Sequence, residues 1–166
     1  MALLNGWAAS NPLAVSVAIF AAGCFWGVEE RFRTTPGVQA TAVGYVGGDF
    51  PHPTYHDVCQ GVTGHAEAVR LHFDPAQISF SQLLDLFWTL HDPTQLNRQG
   101  PDIGSQYRSA VFCQDEEQLQ TALASRRAAQ TRFSRPIVTQ ILPAGSFWLA
   151  EDYHQQYLVK NPHRLC

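Results

Sequence analysis

The sequence predicts an α+β fold: a split βαβ (ferredoxin-like) two-layer sandwich with an added helix and strand and a long irregular C-terminal tail. Two observations predict it. The hydrophobic period switches between two and about 3.6 residues in the order β-α-β-β-α-β, after which one more helix and strand follow. The 166 residues, 45% apolar and 15% charged, suffice for one proper core and are too few for two. One domain is therefore expected over residues 1–166, with 1–12 a loose lead-in and 143–166 a mostly irregular tail.

In LAVSVAIF, Leu13, Val15, Val17 and Ile19 alternate with small residues, as in a strand. An Ala-Ala-Gly turn follows, and Phe25, Val28 and Phe32 then recur at helical spacing up to the stop at Thr35–Gly37. VQATAVGYV is a second strand. Residues 47–65 show neither period, and so long an irregular stretch in a compact domain is usually functional. EAVRLHFD alternates, with Val69, Leu71 and Phe73 on one face. Ser79 and Gln82 spell a capping box for a helix whose buried stripe is Phe80, Leu83, Leu84, Phe87 and Leu90. A second polar loop, HDPTQLNRQGPDIGSQ, precedes the strand YRSAVFC. Asp115 then caps a helix reaching about Gln130, and PIVTQIL is the last strand. The segment FWLAEDYHQQYLVKNPHRLC offers at most one short helix.

Charge and cysteine usage narrow the function. The net charge is -3 and Lys160 is the only lysine, so no basic stripe stands ready for a phosphate backbone and no nucleic-acid partner is expected. The apolar run Ala14 to Ala22 is too short to span a bilayer, and the first basic residue is Arg31, which leaves no charged n-region for secretion. A cytoplasmic protein without a membrane partner is expected. The four cysteines include no Cys-x-x-Cys pair. That argues for a reducing compartment, where cysteine chemistry is catalytic or transient.

Cys24 falls at the first strand-to-helix turn, where unpaired backbone N–H groups and the helix dipole favour a thiolate. Glu29 and Glu30 oppose this. The alternative is a buried core cysteine; the flanking glycines and the long polar loops favour the reactive one. Glu67 shares strand parity with Val69, Leu71 and Phe73 and so points to the apolar side, where desolvation turns a carboxylate into an acid ready to donate. A glutamate bent back to solvent at the strand end fits the parity equally. Tyr55, Asp102 and Tyr107 lie in or beside the two loops; taken singly, each reads as a surface residue. Cys113 ends an apolar strand and reads as structural. His52, His56, Cys59 and His65 share one loop, which raises a zinc-stabilised interaction module as the non-enzyme alternative. Their spacing matches no common finger, and no metal is expected.

GCFWG, GYVGG, PTYHDVC, GHAEAV, HDPTQLNRQGPDIGSQYRSAVF and EDYHQQYLVKNP, in this order from about Phe20 to the C-terminus, together resemble methionine sulfoxide reductase type A. The resemblance implies a catalytic domain that reduces the S epimer of methionine sulfoxide, free or in proteins. It implies Cys24 as nucleophile, Phe25 and Trp26 as the pocket for the substrate methyl group, and Glu67 as the acid. Tyr55 and Tyr107 would hydrogen-bond the sulfoxide oxygen, Asp102 would hold the substrate backbone, and Cys166 aligns with the resolving cysteine. Where many relatives carry an aromatic before that cysteine, this chain has Leu165. Thioredoxin is the implied reductant, a monomer the implied state, and no metal or organic cofactor is required. A thiol peroxidase is the competing enzyme class; peroxide, however, needs no methyl pocket.

Overall fold

The computed structural model describes residues 15–164. The lead-in 1–12, Leu13 and the resolving-cysteine candidate Cys166 lie outside the described residues. The elements are β1 (Ser16–Ala22), α1 (Phe25–Arg33), β2 (Val38–Val46), α2 (Tyr55–Cys59), β3 (Ala66–Phe73), α3 (Phe80–Leu90), the short pair β4 (Arg98–Gln99) and β5 (Asp102–Ile103), β6 (Ser109–Cys113), α4 (Glu116–Ala129), β7 (Gln140–Pro143), β8 (Trp148–Leu149) and α5 (Tyr157–Lys160). The fold is α+β. Six strands form one mixed sheet in the order β7-β6-β1-β3-β2-β8, in which only β6 and β7 run parallel.

The helix-covered face of the sheet carries the main core. Ala18, Phe20 and Ala22 of β1, Val43 and Tyr45 of β2, and Val69, Leu71 and Phe73 of β3 pack there against α1 and α3. Phe20 is its hub, stacked on Phe32 at 5.0 Å and on Phe87 at 5.2 Å between centroids. Burying one such side chain contributes about 1.5–3 kcal/mol. The opposite face is buried as well, by Ile19, Ala21, Ala68, Ala110 and Phe112 with Ala144 and Phe147 against them. Because both faces of β1 are covered, its sequence is a continuous apolar run. The alternation from Leu13 to Ile19 therefore marked the strand without fixing its frame, and β1 extends to Ala22.

The helix starts follow their caps. Ser79 and Gln82 form the full capping box of α3, and the Asp115 side chain accepts from the Gln118 N–H at 2.8 Å to start α4. Residues 47–65 are not wholly irregular, since α2 occupies five of them behind a Thr54–Asp57 capping box. A helix so short shows no apolar period. The strand expected over PIVTQIL is limited to Gln140–Pro143, paired with β6; Pro136 has no N–H to give a ladder.

The tail is irregular yet firmly bound. β8 pairs with the edge of β2, with Gly44 opposite Leu149. A Cβ on Gly44 would come within 2.5 Å of the Phe147 ring and of the Trp148 carbonyl, so the glycine permits this approach. The Gln155 amide then clamps both backbone groups of Val43, accepting from the N–H at 2.8 Å and donating to the carbonyl at 2.9 Å. This docking brings Glu151 and His154 beneath the start of α1.

Candidate active site

Cys24 is the residue before the first turn of α1, and it is half-buried. It has φ -53° and ψ 122°, so the chain turns sharply from strand to helix at this point. Gly23 makes the turn with φ +98°, a conformation that favours glycine. A Cβ there would also meet the Gln99 side chain at 2.9 Å. Gln99 is itself fixed, its amide exchanging two 2.9 Å hydrogen bonds with the backbone of Asp92. The second polar loop is thereby pressed against the cysteine turn. Cys24, Gln99 and Asp102 line one cavity of about 580 Å³ together with Gly27, Arg31 and Leu158.

Glu67 is 1% exposed and lies on the helix-side face with Val69 and Leu71. It accepts a hydrogen bond at 3.2 Å from the N–H of Phe25, the residue next to Cys24. A carboxyl so placed has little water to solvate its charge. Two tyrosine hydroxyls feel its charge. Burial raises the Tyr55 hydroxyl above its ordinary value, assisted by the adjoining Cys59 thiol and then by the Glu67 charge. Burial likewise raises Tyr107, with Glu67, Asp102, Cys59 and Cys24 adding to the effect. Both tyrosines remain protonated donors at neutral pH. The structure thus brings Cys24, Glu67, Tyr55, Tyr107 and Asp102 together from four separate segments.

Phe25 and Trp26 are held from behind. The Trp26 indole N–H donates to His154 Nδ1 at 2.9 Å, and Tyr157 stacks on the indole at 3.7 Å and 8°. His154 is fully buried, and its ring also meets Phe25 at 5.2 Å and Tyr55 at 4.4 Å. Since an indole N–H only donates, Nδ1 must accept and the imidazole is neutral, with its proton on Nε2. Burial lowers its pKa in agreement, against a smaller opposing pull from Glu151. Glu151 accepts from the Tyr45 hydroxyl at 2.9 Å and from the Tyr55 N–H at 2.8 Å. Burial pushes Glu151 up, but these bonds and its own backbone N–H outweigh it, and the group stays a carboxylate.

Gln99, Glu151, His154 and Tyr157 received no role from the sequence. The available signal was the density of acid, histidine and tyrosine in EDYHQQY, within a segment without a period. The loop weighed as an alternative zinc site does not gather. His65 accepts from the Gly48 N–H at 3.0 Å and meets the Phe50 carbonyl at 2.7 Å, while His52 sits edge-on to Trp148. Among the described residues no three ligating side chains come together for a metal. Burial pushes the Cys113 thiol up to about 11, so it remains protonated in the core. Among the described residues no helix is long and apolar enough to cross a membrane.

Comparison with known proteins shows the class to which the chain carrying this strand-to-helix cysteine, buried carboxyl and pair of tyrosines belongs. The family model for peptide methionine sulfoxide reductase matches residues 16–166. The peptide methionine sulfoxide reductase MsrA of Methanothermobacter thermautotrophicus is 58% identical over 151 residues, 90% of this chain and 89% of that protein. Among solved structures, methionine sulfoxide reductase A of Corynebacterium diphtheriae superposes with a TM-score of 0.89 at 41% identity, covering 92% of this chain and 78% of that one. Reduced Mxr1 from Saccharomyces cerevisiae gives 0.89 at 36% identity, covering 93% and 90%; Mxr1 has also been solved in complex with Trx2. The chain belongs to the peptide methionine sulfoxide reductase family. It is an oxidoreductase that reduces methionine sulfoxide.

Proposed function

We propose that the protein reduces the S epimer of methionine sulfoxide, free or in oxidised proteins, through a sulfenic acid on Cys24. The contact that carries this reading is the 3.2 Å bond from the Phe25 N–H to Glu67, because it fixes a buried carboxyl beside the peptide that carries the thiol. A sulfoxide sulfur is a poor electrophile until its oxygen is protonated or strongly hydrogen-bonded. Glu67 supplies the proton while Tyr55 and Tyr107 donate to the oxygen, and general acid catalysis of this kind contributes about 10²–10⁴-fold. Cys24 sulfur attacks, and the oxygen is transferred from the substrate. Methionine leaves, and Cys24 is oxidised to the sulfenic acid.

The methyl group lies against Phe25 and Trp26, whose rings His154 and Tyr157 keep in place. Asp102, across the cavity from α1, binds the substrate backbone. An apolar wall opposite two hydroxyls and an acid favours one configuration at sulfur. Cys166 then condenses with the sulfenic acid, forming a disulfide and releasing water. A thioredoxin reduces that disulfide by exchange; the solved complex of the yeast relative with Trx2 supports this choice of reductant. No metal or organic cofactor enters the cycle. We place the enzyme in the cytoplasm as a monomer. The neighbouring order β6-β1-β3-β2, with β1 and β3 central, supports a split βαβ frame for the site.

Separated epimers of a methionine sulfoxide peptide, incubated with reduced protein and dithiothreitol, test the reading. Methionine should form from the S epimer alone. Equal consumption of both epimers, or turnover of hydrogen peroxide in preference, would overturn it.

A further inference from the structure

The carboxyl end of α4 and the loop after it carry Arg126, Arg127, Arg132 and Arg135, four of the eleven cationic residues of a chain with net charge -3. Three of them, Arg127, Arg132 and Arg135, are exposed. None of the four is ion-paired, since the only salt bridge among the described residues joins Arg33 to Glu30. Arg126 is turned to the Thr139 carbonyl at 2.9 Å. Asp92 feels the charge of Arg135, but only weakly: its carboxyl is held low by Thr94 first.

This cationic loop is built rather than slack. The Gln130 amide donates to the carbonyl of Arg135 at 2.9 Å and accepts from the N–H of Ile137 at 2.8 Å. The N–H of Val138 in turn donates to the Pro93 carbonyl at 2.9 Å, tying the arginines to the loop that carries Gln99 and Asp102. Arg135 lines a cavity of about 450 Å³ with Leu90, Asp92, Phe133 and Ser134. Leu90 also lines the cavity that contains Cys24, where Arg31 and Arg164 supply two more guanidiniums beside the carboxylates of Asp102 and of Glu30, the latter paired with Arg33. The cavity beside the cationic loop and the nucleophile's cavity therefore share one leucine as a wall, and guanidiniums line both.

We propose that this face docks an acidic protein, and that its occupant is the dithiol reductant. The proposal rests on the thiol cycle argued above. A partner with carboxylates flanking its dithiol would seat them on Arg132 and Arg135 while its reactive sulfur approaches the Cys24 cavity. Rim charges of this type act mainly by steering association, raising the on-rate by about 10–10³-fold in a way that salt removes. The chemistry of the docking step is unchanged: thiol–disulfide exchange consumes one dithiol and returns one disulfide.

The test measures recycling by an acidic thioredoxin, with dithiothreitol as the uncharged comparison, in the wild type, R132E/R135E and R132Q/R135Q. The charge reversal should raise the KM for thioredoxin ~10-fold at low ionic strength, with the neutralised variant between. The difference should disappear near 1 M salt, where the Debye length is about 3 Å. Turnover with dithiothreitol should be the same in all three. Equal thioredoxin KM values with normal dithiothreitol turnover would overturn the docking proposal and leave the reaction standing. Absence of dithiothreitol turnover in the wild type would instead overturn the thiol cycle itself. Loss of oligonucleotide binding in R132E/R135E, without any change in thioredoxin KM, would assign the face to nucleic acid and refute the proposal.

Discussion

Replacing Glu67 by Gln alters a proton and little else. The amide oxygen can still accept from the Phe25 N–H, the bond now made at 3.2 Å, and the side chain keeps its volume in a site that is 1% exposed. Stability should therefore change by no more than the roughly 1 kcal/mol of a single hydrogen bond. The chemical step is affected far more. A glutamine donates a hydrogen bond to the sulfoxide oxygen but cannot release its proton, so the variant loses the acid contribution of about 10²–10⁴-fold, on the order of 3–5 kcal/mol of transition-state stabilisation. Single-turnover mixing of reduced enzyme with a methionine sulfoxide peptide isolates that step from recycling. The wild-type rate should fall at high pH, where the acid is ionised, and the variant should lack that fall. A variant rate within a few-fold of wild type, with the same pH profile, would refute the role of Glu67.

Three further substitutions probe the supporting structure. His154→Phe keeps a ring beside Phe25 and Tyr55 but removes the acceptor for the Trp26 indole. It should destabilise the fold by about 1–3 kcal/mol, the range for an orphaned buried donor, and raise the peptide KM more than it lowers kcat, as denaturant titration and steady-state kinetics would show. Burial lowers His91 to about 4, against opposing contributions from the Phe87 carbonyl and Asp92. Its depressed pKa makes the fold lose ~3 kcal/mol as pH drops from 6.5 to about 4; His91→Gln should flatten that part of the stability profile. Glu29 has the opposite sign. Burial raises its pKa despite hydrogen bonds from Thr41 and the Gln156 N–H, so its contribution is present below the ordinary carboxylate value and is lost as pH rises through the raised one. Glu29→Gln should remove this loss, which melting temperatures measured across acid pH would reveal.

Much of the site was legible because it depends on local rules. The parity of β3 put Glu67 on the face of Val69 and Leu71, but a side chain bent to solvent fitted that parity equally, and it is the contact with the start of α1 that shows it buried. Glycines around a cysteine at a strand-to-helix boundary marked the turn, and Ser79 with Gln82 marked the start of α3. What the sequence left unassigned depends on distant pairing. Glu151 and His154 reach the site only because β8 adds to the edge of β2 and Gln155 clamps Val43, contacts between segments more than a hundred residues apart. The frame of β1 was hidden for a different reason: with both faces covered, alternation no longer distinguishes inside from outside. The loop histidines looked like ligands because spacing is visible in a sequence, whereas the Gly48 and Phe50 backbone groups that occupy His65 are not.

The most direct measurement concerns oxygen transfer to Cys24. Reduced Cys166→Ser protein, mixed with one equivalent of the S epimer and dimedone in the absence of reductant, should yield about one methionine per chain and one dimedone adduct. Peptide mapping by mass spectrometry should place that adduct on Cys24, and Cys24→Ser should yield neither methionine nor adduct. Methionine formed by Cys24→Ser, or an adduct on Cys59 with Cys24 unmodified, would contradict the assignment of the nucleophile.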